Sequence, residues 1–173
     1  MRVVSAPIEL VDYNPGWPAK FAAEKRLLLG VIQPWLFGSI EHIGSTAIPG
    51  LRAKPVIDIM VGVETLPASR GAISVIEGLG YNYWPYKPEL MHWFCKPSDD
   101  LRTHHIHLVP LDSALWRARL AFRDYLRRDA SVAAQYVALK ERLAAQFRND
   151  REAYTDGKTS FVESIVARAL EES

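Results

Sequence analysis

The chain has 173 residues, 49% of them hydrophobic, and 21 lysines and arginines against 20 acids give a net charge of +1. That length and apolar share can bury a core without metal or disulfide staples, and the single cysteine, Cys95, has no partner for an internal disulfide. Balanced charge speaks against broad nucleic-acid binding, and with no signal-peptide pattern and no apolar run of about 18 residues the expectation is a cytoplasmic chain without a membrane span.

Residues 3–11 read as a short strand or arm, closed by the turn from Asp12 to Pro18. Pro18 suits the first turn of a helix, and Phe21, Leu28, Val31 and Ile32 then recur at helical spacing to about Gln33. Strands are expected at 35–43 and 56–63, and a second helix from Pro67 to about Leu79. The aromatic stretches 81–84 and 91–96 carry strand character, and Ser98 to Asp100 turns the chain into a further strand, Thr103 to Val109. From Ser113 onward the pattern is helical, over about 113–128, 131–148 and 159–171, with Asp112 or Ser113, Asp129 or Ser131, and Thr159 or Ser160 as caps. This order predicts an α+β fold in one domain: a mixed β-sheet with helices packed on one side (about 1–111) and a C-terminal helical part (about 112–173) walling a cleft.

Chemistry concentrates in HIGSTAIPGLRAKPVIDIMV, residues 42–61. Asp58 is a lone acid in an apolar strand and needs a partner, because an unpaired buried charge is costly. The Gly44-Ser45-Thr46 turn offers backbone N–H groups and hydroxyls to an anion. In the later strand THHIHLV, alternation puts His105 and His107 on one face and His104 and Ile106 on the other. A site of Asp58, His105 and His107 would suit zinc or manganese better than magnesium, or use a histidine as base; His42 is a fourth candidate. Lys54 and Arg102 precede the two site strands, and Arg119, Arg123, Lys140 and Lys158 are cations of the helical part that could face the cleft. Plainer readings stand beside these: histidines decorating a sheet face, Asp58 paired structurally with Lys54 or Arg102, a turn that merely requires glycine, and cations on a solvated face.

The segments IEHIGSTAIPGL, AKPVIDIMV, RTHHIHLV, FRDYLR and YTDGKTSF, from about Val11 to Val166, resemble the GrpB (UPF0157-type) family of the nucleotidyltransferase-like superfamily. The resemblance implies transfer of a nucleotidyl group from a nucleoside triphosphate to a small-molecule acceptor, with a divalent metal (Mg, Mn or Zn). Gly44, Ser45 and Thr46 would seat the phosphates with Lys54, Arg102, Arg123 and Lys158. Asp58, His105 and His107 would form the metal and catalytic set. One departure stands out: Met60 occupies the place of the superfamily's second metal carboxylate. Two alternatives follow from it. One is a non-catalytic module for a nucleotide or a coenzyme A-related ligand, since GrpB domains resemble segments fused with dephospho-coenzyme A kinase. The other is a metal-dependent phosphohydrolase built on Asp58, His105 and His107.

Overall fold

The computed structural model describes residues 6–173. Five strands, β1 (Ile40–Ile43), β2 (Ile57–Val63), β3 (Asn82–Trp84), β4 (His92–Pro97) and β5 (Arg102–Pro110), form one sheet in the order β1-β2-β5-β4-β3. The β2–β5 pair is parallel and the others are antiparallel, so the sheet is mixed. β2 and β5 lie at its centre with both faces covered, which is why IDIMVGV and the second half of β5 are nearly continuous apolar runs.

Ile57, Ile59, Val61, Phe94, Ile106 and Leu108 line one face. Against them pack helices α1 (Trp17–Leu29) and α2 (Ala72–Glu77), through Trp17, Leu28, Ala72 and Ile76. On the other face Ile43, Met60, Trp93, Cys95 and Val109 meet Trp116 of α3 (Ala114–Arg128). Helices α4 (Ala130–Gln146) and α5 (Arg151–Glu171) complete the C-terminal part, whose Tyr125, Leu126, Val132, Tyr136 and Ile165 close over Ile48 and Leu51 of the loop between β1 and β2. The α+β architecture is therefore as expected: α1 and α2 on one side, the helical part on the other, and the chemistry-rich loop between sheet and helices. Among the described residues no helix is long and apolar enough to cross a membrane.

Element boundaries differ in instructive places. Of the expected first strand, residues 3–5 lie outside the described residues, and Val11 makes only an isolated bridge to Ala53. α1 stops at Leu29 because Gly30 ends it; turns carry the chain past Pro34 and Gly38 (φ +94°), so β1 begins at Ile40 rather than Trp35. The segment after Pro67 starts as turns, with Thr65 Oγ1 accepting from the Ala68 N–H, and α2 begins only at Ala72. Ser113 and Asp129 cap α3 and α4, accepting from the N–H groups of Trp116 and Val132. The last helix is longer than expected. Asp150 caps it, and Thr159 and Ser160 lie within it.

Candidate functional site

The site grows from strand register. Asp58 stands opposite Ile43 on one side and His105 on the other, and Met60 stands opposite His107. Directly paired residues share a face, so Asp58, Met60, His105 and His107 project together, while His104 turns away toward Glu24. Both imidazoles converge on one oxygen: His105 Nδ1 lies 2.9 Å and His107 Nε2 3.3 Å from Asp58 Oδ1. Gly44 seals the other side of the carboxylate. Its φ is +73°, and a Cβ there would sit 2.5 Å from Asp58 Oδ2, so the turn reaches the carboxylate only because it lacks a side chain.

The rest of the turn is fixed by side chains rather than left open. Thr46 donates its hydroxyl to the Val56 carbonyl at 3.0 Å, so the His42 Nε2–H must be the donor to Thr46 Oγ1, also at 3.0 Å. Thr46 thus ties the turn to the residue before β2, and its hydroxyl has no hydrogen left for a phosphate. His42 faces the opposite surface of the sheet, stacked on Phe21 with ring centroids 4.8 Å apart, and burial lowers its pKa to about 4. It is not part of the Asp58 cluster.

The expected cations divide into two groups. Arg102 is paired with Asp99 and lies over the Trp93 ring; Arg123 donates to Glu41 Oε2 at 2.8 Å, to Asp124 and to the His42 carbonyl. Both guanidiniums are engaged within the protein. Lys54 and Lys158 are different. They rest over the Tyr154 ring at 5.1 and 4.4 Å, and neither has a carboxylate partner among the described residues. Burial, opposed by the attraction of Asp58, lowers the pKa of both, that of Lys158 to about 8 with Lys54 as a further cause. Lys140 joins them from α4, donating to Ser45 Oγ at 3.1 Å and to the Arg52 carbonyl; burial and the neighbouring lysines bring it to about 7.

Arg119 completes the cluster from α3, donating Nη1–H to His107 Nδ1 at 2.9 Å. An arginine only donates, so His107 Nδ1 accepts, and in the neutral ring the hydrogen sits on Nε2, facing Asp58. Burial and then Arg119 lower the His107 pKa to about 4, which keeps that ring neutral near pH 7. Burial would raise the pKa of Asp58, but the two imidazoles outweigh it and hold the carboxyl well below its usual range. His105 donates Nδ1–H to the same carboxylate, and its Nε2 is buried without a partner. Arg119 and Lys140 carry no weight in the family-like segments. Helical spacing puts Arg119 one turn from Arg123, but sequence does not say which of the two has a carboxylate waiting.

Asp58, His105 and His107 offer ligand atoms that all lie within 4.8 Å of one another, compatible with a shared ion at metal–ligand distances of about 2.0–2.2 Å. One carboxylate and two imidazoles suit zinc or manganese rather than magnesium. Met60, 0% exposed in an apolar cluster with Met91 and Trp116, offers nothing to a second ion.

The family model described as GrpB protein matches residues 7–168. The chain belongs to the GrpB family. A UPF0157 protein of Pseudomonas aeruginosa is 40% identical over 168 residues, covering 94% of this chain and 68% of that protein. The crystal structure of conserved protein GrpB from Enterococcus faecalis matches with a TM-score of 0.85 at 31% identity, over 95% of this chain and 98% of that one. The GrpB fold thus extends over nearly the whole chain. A more distant relative, dephospho-CoA kinase of Mycolicibacterium paratuberculosis, is 28% identical over 97% of this chain but only 47% of its own length.

Proposed function

We propose that this GrpB protein is a nucleotidyltransferase-type enzyme that binds a nucleoside triphosphate and transfers its nucleotidyl group to a small acceptor. One observation carries the reading. A single carboxylate, Asp58, is bracketed by two imidazoles and the Gly44 turn, and is flanked by Lys54 and Lys158, cations with no carboxylate of their own among the described residues. Enclosed like charges are costly until something opposite compensates them, and a triphosphate has the charge and the length to do so.

In this reading the backbone of Gly44 and Ser45, with Lys54 and Lys158, holds the phosphates. Arg102 and Arg123, already bound elsewhere, contribute field rather than contact, and Thr46 keeps the turn in place. The acceptor oxygen attacks the α-phosphorus, the bond to the bridging oxygen breaks, and pyrophosphate leaves with the electron pair. The lysines stabilise that developing charge. The acceptor's proton goes to an imidazole, for which His105, oriented by Asp58 and with Nε2 unengaged, is suited. Asp58, His105 and His107 are the residues that would hold a divalent ion, which when bound would supply further charge neutralisation.

A second reading is favoured by Met60: a module that binds a nucleotide or a coenzyme A-related ligand without chemistry, since two-metal transfer needs a shared second carboxylate. The likeness to a dephospho-CoA kinase puts coenzyme A precursors on the test panel. Thermal shift with nucleotides, those precursors, manganese and zinc, followed by chromatography of the nucleotide, separates the readings. Turnover in wild type, lost by more than about a hundredfold in Asp58→Ala and His107→Ala with unchanged far-UV circular dichroism, supports the transferase. A nucleotide that stabilises and is recovered intact with every acceptor supports the module. Phosphate or pyrophosphate released with zinc or manganese and no acceptor makes the protein a hydrolase. Full turnover in both variants rejects the site.

A further inference from the structure

Arg119 is the cation of the site whose surroundings explain it least. Its neighbours on α3 are spoken for: Arg123 by Glu41 and the His42 carbonyl, Arg127 by the Ala47 carbonyl. Arg119 makes one hydrogen bond, to His107, and has no carboxylate partner among the described residues. A guanidinium presents five N–H donors in a planar fork that matches an oxyanion in two contacts, and here most of the fork is idle.

Its place relative to the lysines is informative. Arg119 reaches Asp58 through His107, holding Nδ1 at 2.9 Å while Nε2 lies 3.3 Å from Asp58 Oδ1, whereas Lys140 bonds Ser45 Oγ and Lys54 and Lys158 rest over the Tyr154 ring. Asp58 therefore stands between two cationic subsites, one built on the Ser45 turn and the lysines, the other on Arg119. Met91, buried with its Sδ 3.4 Å from His107 Nδ1, backs the ring, and Tyr86, 46% exposed, offers an aromatic face on the Arg119 side to the body of a ligand.

We propose that Arg119 docks the second substrate, which accordingly carries a phosphate or carboxylate. The assignment of this oxyanion to the acceptor rests on the transferase reading, in which the triphosphate occupies the lysine side. An oxyanion that engages the fork competes for the one donor that Arg119 spends on His107 Nδ1, so the His107 ring reports its arrival.

The test uses the full chain labelled with nitrogen-15 histidine, with His107 assigned through His107→Gln and its ring signals read by long-range proton–nitrogen correlation. Inorganic phosphate and succinate are titrated with and without saturating α,β-methylene adenosine triphosphate, so that the two oxyanion classes are compared directly. The expected result is a saturable shift of the His107 ring signals with at least one anion, at an affinity the triphosphate analogue leaves unchanged. Arg119→Met should weaken that response by about tenfold or more, with Arg119→Lys intermediate, and both should bind the analogue like wild type. Lys158→Met should do the reverse. Competition between anion and analogue, an unmoved His107 signal, or loss of analogue binding in both Arg119 variants would overturn the proposal. An Arg119-dependent response in a protein that binds no triphosphate would instead remove the transferase reading and leave the oxyanion site standing.

Discussion

Gly44 holds the site together by what it lacks. With φ +73° and ψ −174° it occupies a region essentially reserved for glycine, and any Cβ would collide with Asp58 Oδ2. Gly44→Ala should cost about 1–3 kcal/mol in urea denaturation from strain alone, and should also push Asp58 off the imidazoles, abolishing the manganese binding proposed for that cluster. Gly50 is the internal control: its φ is +79° but nothing lies within 4 Å of its ideal Cβ, so Gly50→Ala should show strain and spare the metal. Equal manganese affinity in the two variants would mean that the Gly44–Asp58 approach has no bearing on the site. At this scale the sequence is readable wherever geometry is periodic. Alternation along a strand suffices to put Asp58, Met60, His105 and His107 on one face. It fails for the cations, because whether an arginine is free depends on partners such as Glu41, 82 residues away from Arg123 in the chain.

At the level of elements, the C-terminal helix shows where sequence patterning misleads. Gly157 is a poor interior helix residue, about 1 kcal/mol worse than alanine, and it makes TDGKTS read as a break. The compensation is tertiary: a Cβ at Gly157 would lie 2.5 Å from Leu143 Cδ2 and 3.3 Å from its Cγ, so glycine is what lets α5 close on α4 and deliver Tyr154 and Lys158 to the site. Leu143 is buried, and overpacking of this kind costs about 1–3 kcal/mol, which outweighs the gain in helix propensity. Gly157→Ala should therefore destabilise the wild type, yet stabilise a Leu143→Ala background, where the space is open and only propensity remains. The sign change in a double-mutant cycle is the measurement; the same sign in both backgrounds would remove packing as the cause. Periodicity finds α3 and α4 with their caps because Ser113 and Asp129 act through neighbours three residues on. No local signal reports what Gly157 touches.

For the whole molecule, the question is whether sheet and helices are one cooperative unit. They share their apolar contacts rather than meeting at a polar boundary: Trp116 packs with Met60, Trp93 and Val109, and Ile48 and Leu51 sit among Tyr125, Tyr136 and Ile165. The polar links run the same way, from Lys140 to Ser45 and the Arg52 carbonyl, from Arg127 to the Ala47 carbonyl, and from Arg123 to Glu41. Stripped of α3 to α5, the sheet would expose Met60, Trp93 and Val109 on one face, and the turn at Ser45 would lose its support. Unfolding should then be a single transition. Four of the five tryptophans, Trp17, Trp35, Trp84 and Trp93, belong to the sheet half, whereas the long helices dominate the far-UV signal, so fluorescence and circular dichroism report on different halves of the chain. Coincident midpoints in urea are expected. Lys140→Met, which cuts one link between the halves, should lower both midpoints together; a midpoint that moves in fluorescence alone would mean that the sheet and the helical wall fold as separate units.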